Sequence, residues 1–177
     1  MTMTLSTRAK SLKLMIVACF AVFGATAWAV LSAGFCAVLV ALSAIDAQHR
    51  IVPNRIVVPS AVIALVAHTA IDPSLAWLVW SLVAAGGLFF VVLAYPKGLG
   101  MGDVKLALLL GAMLGASVTV ALMIGLFAAL IPSAVLVSRH GASARKMGVP
   151  LVPFLSLGAV VALFFGDAIL DAYLALF

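Results

Sequence analysis

The chain has 177 residues, of which 67% are hydrophobic and only 8% are charged, and its formal net charge is +5. A soluble domain is typically about 45–50% apolar and about 25% charged, so a sizeable soluble domain is excluded. We expect an all-α, polytopic bundle of six to seven transmembrane helices. The positive charge is then that of cytoplasmic anchors of a membrane protein, and nucleic acid is not an expected partner.

The beginning of the chain is polar and basic, with Arg8, Lys10 and Lys13 in a short segment. We interpret residues 1–13 as a cytoplasmic N-terminus and residues 14–177 as one membrane-embedded domain.

An apolar run from residue 14 to residue 45 follows. It is too long for one span, since about 20 residues cross a bilayer. We predict two helices, about 14–30 and 33–46, joined by a turn near residues 32–34. The alternative is a cleavable signal peptide, because residues 25–29 contain small-residue patterns that resemble cleavage sites.

Further helices are predicted after a polar stretch that begins at Asp46. Their approximate bounds are 56–71, 75–95, 104–138 and 153–174. The third of these is again too long for one span, and a turn near Gly115-Ala116-Ser117 divides it. The total is seven spans, or six if the first is removed.

The basic residues indicate the orientation of the bundle. If the N-terminus is cytoplasmic and the proposed turns are correct, all ten Lys and Arg residues lie on the cytoplasmic side, as the positive-inside rule requires. These residues are Arg8, Lys10, Lys13, Arg50, Arg55, Lys97, Lys105, Arg139, Arg145 and Lys146.

The acidic residues separate into two groups. There are five, all aspartates, and Asp72, Asp167 and Asp171 are predicted at the outer face. Only Asp46 and Asp103 fall on the cytoplasmic side, each at a helix boundary. Ionisable groups at membrane depth are costly and are candidates for function. The alternative is that both are interfacial anchors or partners of neighbouring basic residues.

Two carboxyls that lie close together can share one proton, so that one activates a water while the other donates a hydrogen bond to a peptide carbonyl. This chemistry needs no metal and no cofactor. The alternating glycines Gly98, Gly100 and Gly102 precede Asp103 and would let the backbone approach a ligand closely. The chain's two cysteines form no CxxC pair, and its three histidines lack metal-ligand spacing.

Three segments extend this pattern into motifs. They are GLGMGDVKL at 98–106, Asp46 with Val-Pro-Asn at 52–54, and PLVPFLSLG at 150–158. In this order they resemble the GxGxGDxKL signature, the first aspartate motif and the late PFxPFLxxG segment of the type IV prepilin peptidases, a branch of the GxGD aspartyl proteases.

The resemblance implies that the chain cleaves leader peptides from prepilins or pilin-like secretion subunits, at the cytoplasmic face of the inner membrane. It places the catalytic role on Asp46 and Asp103. The residues that would contact substrate are Pro53, Asn54, Gly100, Gly102 and Lys105. The paired-CxxC insertion of members that also N-methylate pilins is absent, which predicts the short, peptidase-only form.

Two alternatives remain. A presenilin-like GxGD protease would carry Tyr before its first aspartate, whereas Ile45 precedes Asp46 here. A transporter or pilus-assembly subunit could use the two aspartates as a proton or cation site, but it would need acids near the middle of the membrane. The predicted position at the cytoplasmic boundary favours a protease.

Overall fold

The computed structural model describes residues 5–94, 99–140 and 150–176, and these ranges confirm the predicted all-α bundle. The helices are α1 Leu5–Phe23, α2 Ala27–His49, α3 Asn54–Ile71, α4 Ala76–Ala94, α5 Met101–Leu114, α6 Val118–His140 and α7 Val152–Leu174. Five stretches of the described chain are long and apolar enough to cross a membrane, and one of them, Met101–Leu136, comprises α5 and most of α6.

The outer faces of the helices carry large apolar side chains, which is what lipid requires. Leu14 is 72% exposed, Phe90 71% and Ile131 69%. A soluble protein would cover such faces with polar groups, so this surface is that of a multi-pass membrane protein.

The predicted turn near residues 32–34 is wrong, because these residues lie inside α2. The chain turns instead at Gly24, which adopts a left-handed φ of +65° that other residues rarely tolerate. Thr26 then caps α2, since its Oγ1 accepts a hydrogen bond from the Ala29 N–H at 3.4 Å. Gly34 costs α2 some stability but does not end it.

The predicted turn at residues 115–117 is confirmed as a 3₁₀ turn between α5 and α6. Gly115 has a φ of +56°, and a Cβ at this position would lie 2.8 Å from Cζ3 of Trp77. The turn is held to α7 because the Ser117 hydroxyl donates to Oδ1 of Asp167 at 2.6 Å. Glycine is therefore required here both for its dihedral angle and for space.

The core of the bundle is α5, most of whose side chains are buried between its neighbours. It packs closely on α4, because a Cβ at Gly111 would lie 2.5 Å from the Ser81 Cα. On the other side of the bundle, Gly158 of α7 fits against the backbone of Ala121 in α6. Such small-residue contacts are the usual basis of helix association in membranes.

Successive helices alternate in direction, so the connections fall at two ends of the bundle. At one end lie the start of α1, the α2–α3 linker, the first turn of α5, the end of α6 and the start of α7. We call it the basic end. The described basic residues there are Arg8, Lys10, Lys13, Arg50, Arg55, Lys105 and Arg139, whereas Lys97, Arg145 and Lys146 lie outside the described residues.

The acids divide between the two ends as predicted. Asp46 and Asp103 lie at the basic end, while Asp72, Asp167 and Asp171 lie at the opposite end. The bundle thus gathers two of its five acids beside most of its basic residues. That this end faces the cytoplasm stays a prediction.

Candidate active site

Asp46 lies in the last turn of α2 and is only 6% exposed. Its Oδ2 accepts a hydrogen bond at 3.2 Å from the backbone N–H of Val152, 106 residues later in the chain. Val152 is the first residue of α7, so this N–H has no partner within the helix and lies at the positive end of the helix dipole. One turn deeper, the hydroxyl of Ser43 donates to that of Ser156 at 2.8 Å and fixes α2 against α7.

Asp103 is the third residue of α5 and is half-buried. Its Oδ2 accepts a hydrogen bond at 2.9 Å from the backbone N–H of Gly100, the residue that caps the helix. This is the carboxylate half of a capping box, and it holds the side chain against the start of α5.

The two carboxyls are close enough to interact electrostatically. Each uses its Oδ2 to bind a backbone N–H, from Val152 for Asp46 and from Gly100 for Asp103. Within the described parts of the chain, neither Oδ1 has a hydrogen-bond partner. The arrangement leaves one oxygen on each carboxyl available to a water or a ligand, which is the minimum that shared acid–base chemistry requires.

The glycines of the predicted loop have structural roles. A Cβ at Gly102 would lie 2.8 Å from the Cβ of Val52, so Gly102 lets the α2–α3 linker pack on the first turn of α5. Gly100 is the N-cap of α5 and the hydrogen-bond donor to Asp103. Gly98 lies outside the described residues. Contact of Gly100 and Gly102 with substrate stays a prediction.

Pro53, Asn54 and Lys105, also predicted to contact substrate, lie at the same end of the bundle. Pro53 caps α3, and its carbonyl oxygen accepts the N–H of Ile56 at 3.0 Å. Lys105 donates from Nζ to Oδ1 of Asn54 at 2.8 Å, and this hydrogen bond joins α5 to α3. The structure therefore shows how these residues hold the site together, and their contact with substrate remains to be tested.

Sequence reasoning missed the Val152 amide and the fit of Val52 against Gly102. A signal for the first was present, because Pro153 occupies the second position of α7 and proline marks helix starts, where N–H groups are unpaired. No signal indicated which side chain would accept that N–H. The second contact depends on tertiary packing that local sequence does not encode.

The backbone at Arg50 was also not anticipated. Arg50 ends α2 in the left-handed conformation, with a φ of +52°, and its N–H donates to the carbonyl of Asp46 at 2.8 Å. A non-glycine residue in this region is strained by about 1–2 kcal/mol. The sharp turn at Arg50 directs the α2–α3 linker so that Val52 packs against Gly102 in the first turn of α5.

Residues 33–138, which contain both aspartates, match the Type IV leader peptidase family. Three curated relatives are each named prepilin leader peptidase/N-methyltransferase. The protein of Pseudomonas aeruginosa is 30% identical over 77% of this chain and 49% of its own length. The protein of Bacillus subtilis is 30% identical over 79% of this chain and 57% of its own length. The protein of Burkholderia pseudomallei strain K96243 is 32% identical over 82% of this chain and 50% of its own length.

The chain therefore spans about half the length of the curated relatives it matches. No solved structure matches it significantly. The family match covers more than half of the chain and includes the α2–α5 region that builds the site. The chain belongs to the type IV leader peptidase family.

Proposed function

We propose that this chain is an aspartyl endopeptidase that removes leader peptides from prepilins or pilin-like precursors. Asp46 and Asp103 are its catalytic pair, and it acts at the cytoplasmic face of the inner membrane. Family membership supports the reaction class, and the relatives' printed names include prepilin leader peptidase activity.

One observation carries the proposal. Of five acids in the chain, only Asp46 and Asp103 lie at the basic end, and they come from different helices to within electrostatic reach of each other. Each acid binds a backbone N–H at a different helix start through its Oδ2, and this structural role does not account for their proximity or for the second oxygen of each carboxyl. Two interacting carboxyls with free oxygens support acid–base catalysis.

The mechanism follows from sharing one proton between the pair. The ionised carboxylate takes a proton from a water, whose oxygen attacks the scissile carbonyl carbon, while the protonated carboxyl donates its proton to the carbonyl oxygen. The resulting diol collapses: a hydroxyl proton returns to one carboxylate, the C–N bond breaks, and the leaving nitrogen takes a proton from the other carboxyl. The backbone N–H groups of Gly100 and Val152 orient the two side chains throughout.

N-methylation of the processed pilin is not part of the proposed function. A paired-CxxC zinc site needs four cysteines, and the 177 residues contain two. Cys19 and Cys36 are both buried where α1 meets α2, with their sulfurs 3.9 Å apart. We expect a mixture of protein, prepilin and a methyl donor to yield unmethylated pilin by mass spectrometry; a methylated product would contradict this.

The test of the proposed function is cleavage by purified protein in lipid vesicles. A prepilin with a basic leader and an apolar helix should be cut at their junction, and the double variant Asp46→Asn/Asp103→Asn should be inactive. Proton or cation flux across the vesicles, without cleavage, would instead support a transporter.

A further inference from the structure

An apolar groove runs along the side of the bundle, away from the basic end. It has a volume of about 320 Å³. It is lined by Val30, Leu31, Gly34, Phe35 and Val38 of α2, Ser60, Ile63 and Ala64 of α3, and Leu109 and Met113 of α5. A volume of about 150 Å³ holds one benzene ring, so the groove has room for about two side chains of phenyl size.

The groove contains three small residues, Gly34, Ser60 and Ala64, among larger apolar side chains. Gly34 is exposed, and a Cβ there would meet no atom within 4 Å. A glycine inside a helix costs about 0.5–1 kcal/mol relative to alanine. Nothing in the described chain packs against it, in contrast to Gly111 and Gly158, whose bare backbones contact neighbouring helices.

The groove also contains one polar group, the hydroxyl of Ser60. No hydrogen bond joins it to another residue in the described parts of the chain. Small residues that expose backbone, together with a serine hydroxyl, are the features with which membrane helices bind other helices. A lipid tail has no group that could bind the hydroxyl.

The groove and the candidate active site are built on the same helices. The helices that line the groove are α2, α3 and α5, and these three and their N-caps contain all the predicted catalytic and substrate-contacting residues. Along α2, Val38 precedes Asp46 by about 12 Å, at 1.5 Å per residue. Along α5, Leu109 follows Asp103 by about 9 Å.

We infer that this groove binds the apolar helix of the prepilin substrate and places the leader junction at Asp46 and Asp103. The inference rests on the proposed function and adds to it the place where substrate docks. Two large apolar side chains, one helical turn apart, fill the groove, and the substrate backbone packs on Gly34.

The spacing sets where the cut falls. A protease needs its scissile bond in extended conformation, and an extended chain covers about 3.3 Å per residue. The 9–12 Å between groove and carboxyls therefore corresponds to about three or four residues. We expect the helix to engage the groove about four residues after the cut.

The experiment compares Gly34→Leu with Gly87→Leu, a matched control. Gly87 is also an exposed helical glycine with no atom within 4 Å of an added Cβ, but it lies on α4 and outside the groove. Two substrates are used: a full prepilin, and a peptide with the leader and the first four residues after the cut. In Gly34→Leu, the ratio of kcat/KM for prepilin to kcat/KM for the peptide should fall by about tenfold or more, and the fall should come from a higher KM for prepilin. Gly87→Leu should leave this ratio as in the wild type.

Cross-linking locates the docked helix even if the short peptide is cleaved too slowly to measure. Ile63→Cys lies in the groove, whereas Val62→Cys lies at the same depth on the lipid-facing side of α3. Both are made in a Cys19→Ala/Cys36→Ala background with cysteines placed along the prepilin helix. Position 63 should cross-link to substrate with a helical repeat, and position 62 should not.

Several outcomes would overturn the inference. They are equal loss of activity on both substrates in Gly34→Leu, full activity on prepilin in that variant, and substrate cross-links that do not prefer position 63. Cross-links at 63 only to a second copy, or a bound lipid that prepilin does not displace, would identify another occupant. If prepilin is still cleaved in these cases, the proposed function stands and only the docking site fails.

Discussion

Asp46 and Asp103 each bind a backbone N–H at the start of a helix, so each has a structural contact beside the proposed chemistry. The oxygen of an Asn side chain can accept the same hydrogen bond, but a carboxamide cannot accept and release a proton as a carboxyl does. Substitution by Asn therefore separates the two roles.

We expect Asp46→Asn and Asp103→Asn each to lower prepilin cleavage by on the order of a thousandfold or more, because neither half of the pair can share a proton alone. Insertion in the membrane and thermal stability should change little. Asp72→Asn, at the opposite end, should cleave as the wild type does. Substantial cleavage by either site variant would rule out the assignment.

Gly102 lies against Val52, and this contact allows a sharper experiment than loss of activity alone. Gly102→Val should remove most of the activity, because the α2–α3 linker must move away from α5. Gly102→Ala should be milder, and Val52→Gly, which removes both the Cβ and the Cγ2 that the new methyl would meet, should partly rescue Gly102→Ala in a double-mutant cycle. Additive effects of the two changes would indicate that Gly102 is needed for direct approach of the substrate instead.

At the scale of helices, some glycines lie where two helices touch and others lie on the exposed surface. Gly111 allows α4 and α5 to touch, and the Ser81 hydroxyl there donates to the carbonyl of Leu108 at 2.9 Å. Gly87, on the same α4, is exposed and contacts nothing in the described chain. The same residue type therefore has opposite sensitivity to substitution.

Gly111→Val should destabilise the bundle by about 1–3 kcal/mol or more, since the added atoms meet backbone that cannot yield cheaply. Gly87→Val should change stability little, since an added side chain meets no atom there and the helix propensity of valine is no lower than that of glycine. Unfolding of the purified proteins in a denaturing detergent series measures the difference. Equal stability of the two variants would mean that α4 and α5 are not closely packed.

The helices were predictable from hydrophobic length, but the position of a turn inside a long apolar run was predictable only in part. Gly115 ends α5 with a positive φ, and only glycine fits there because Trp77 occupies the space of a Cβ. Gly34 gave a similar sequence signal, yet it lies inside α2, and Gly24 forms the turn. Sequence shows where glycine occurs and does not show which glycine will adopt a left-handed conformation.

The candidate site was predictable in the same partial way. The two aspartates were identified from the side of the membrane on which they were predicted to fall and from the resemblance of their motifs to those of the prepilin peptidases. Their hydrogen-bond partners differ in how far they could be predicted from the sequence. The Gly100 amide is three residues from Asp103, whereas the Val152 amide is 106 residues from Asp46. The first follows from helix capping, while the second depends on the way α2 packs against α7.

At the scale of the whole molecule, the basic end should face the cytoplasm, because positive residues near helix ends are retained there. A cysteine at Arg139 should react with an impermeant thiol reagent only from the cytoplasmic side, in a Cys19→Ala/Cys36→Ala background. A cysteine at Ser74, at the opposite end, should react only from outside. The reverse pattern would overturn the orientation and, with it, access of a cytoplasmic leader to the site.

The shortness of α5 has a consequence for the lipid around it. With 14 residues it is about 21 Å long, whereas the hydrocarbon layer is about 30 Å thick. If the Ser117–Asp167 pair lies near one interface, Asp103 lies several ångströms below the other, so the bilayer must thin there or the leader must dip into it. We expect cleavage to be faster in vesicles of short-chain lipids than in long-chain ones at equal protein content. A cleavage rate that does not depend on the length of the lipid acyl chains would mean that the helix bundle, and not the bilayer, adjusts to the difference between the length of α5 and the bilayer thickness.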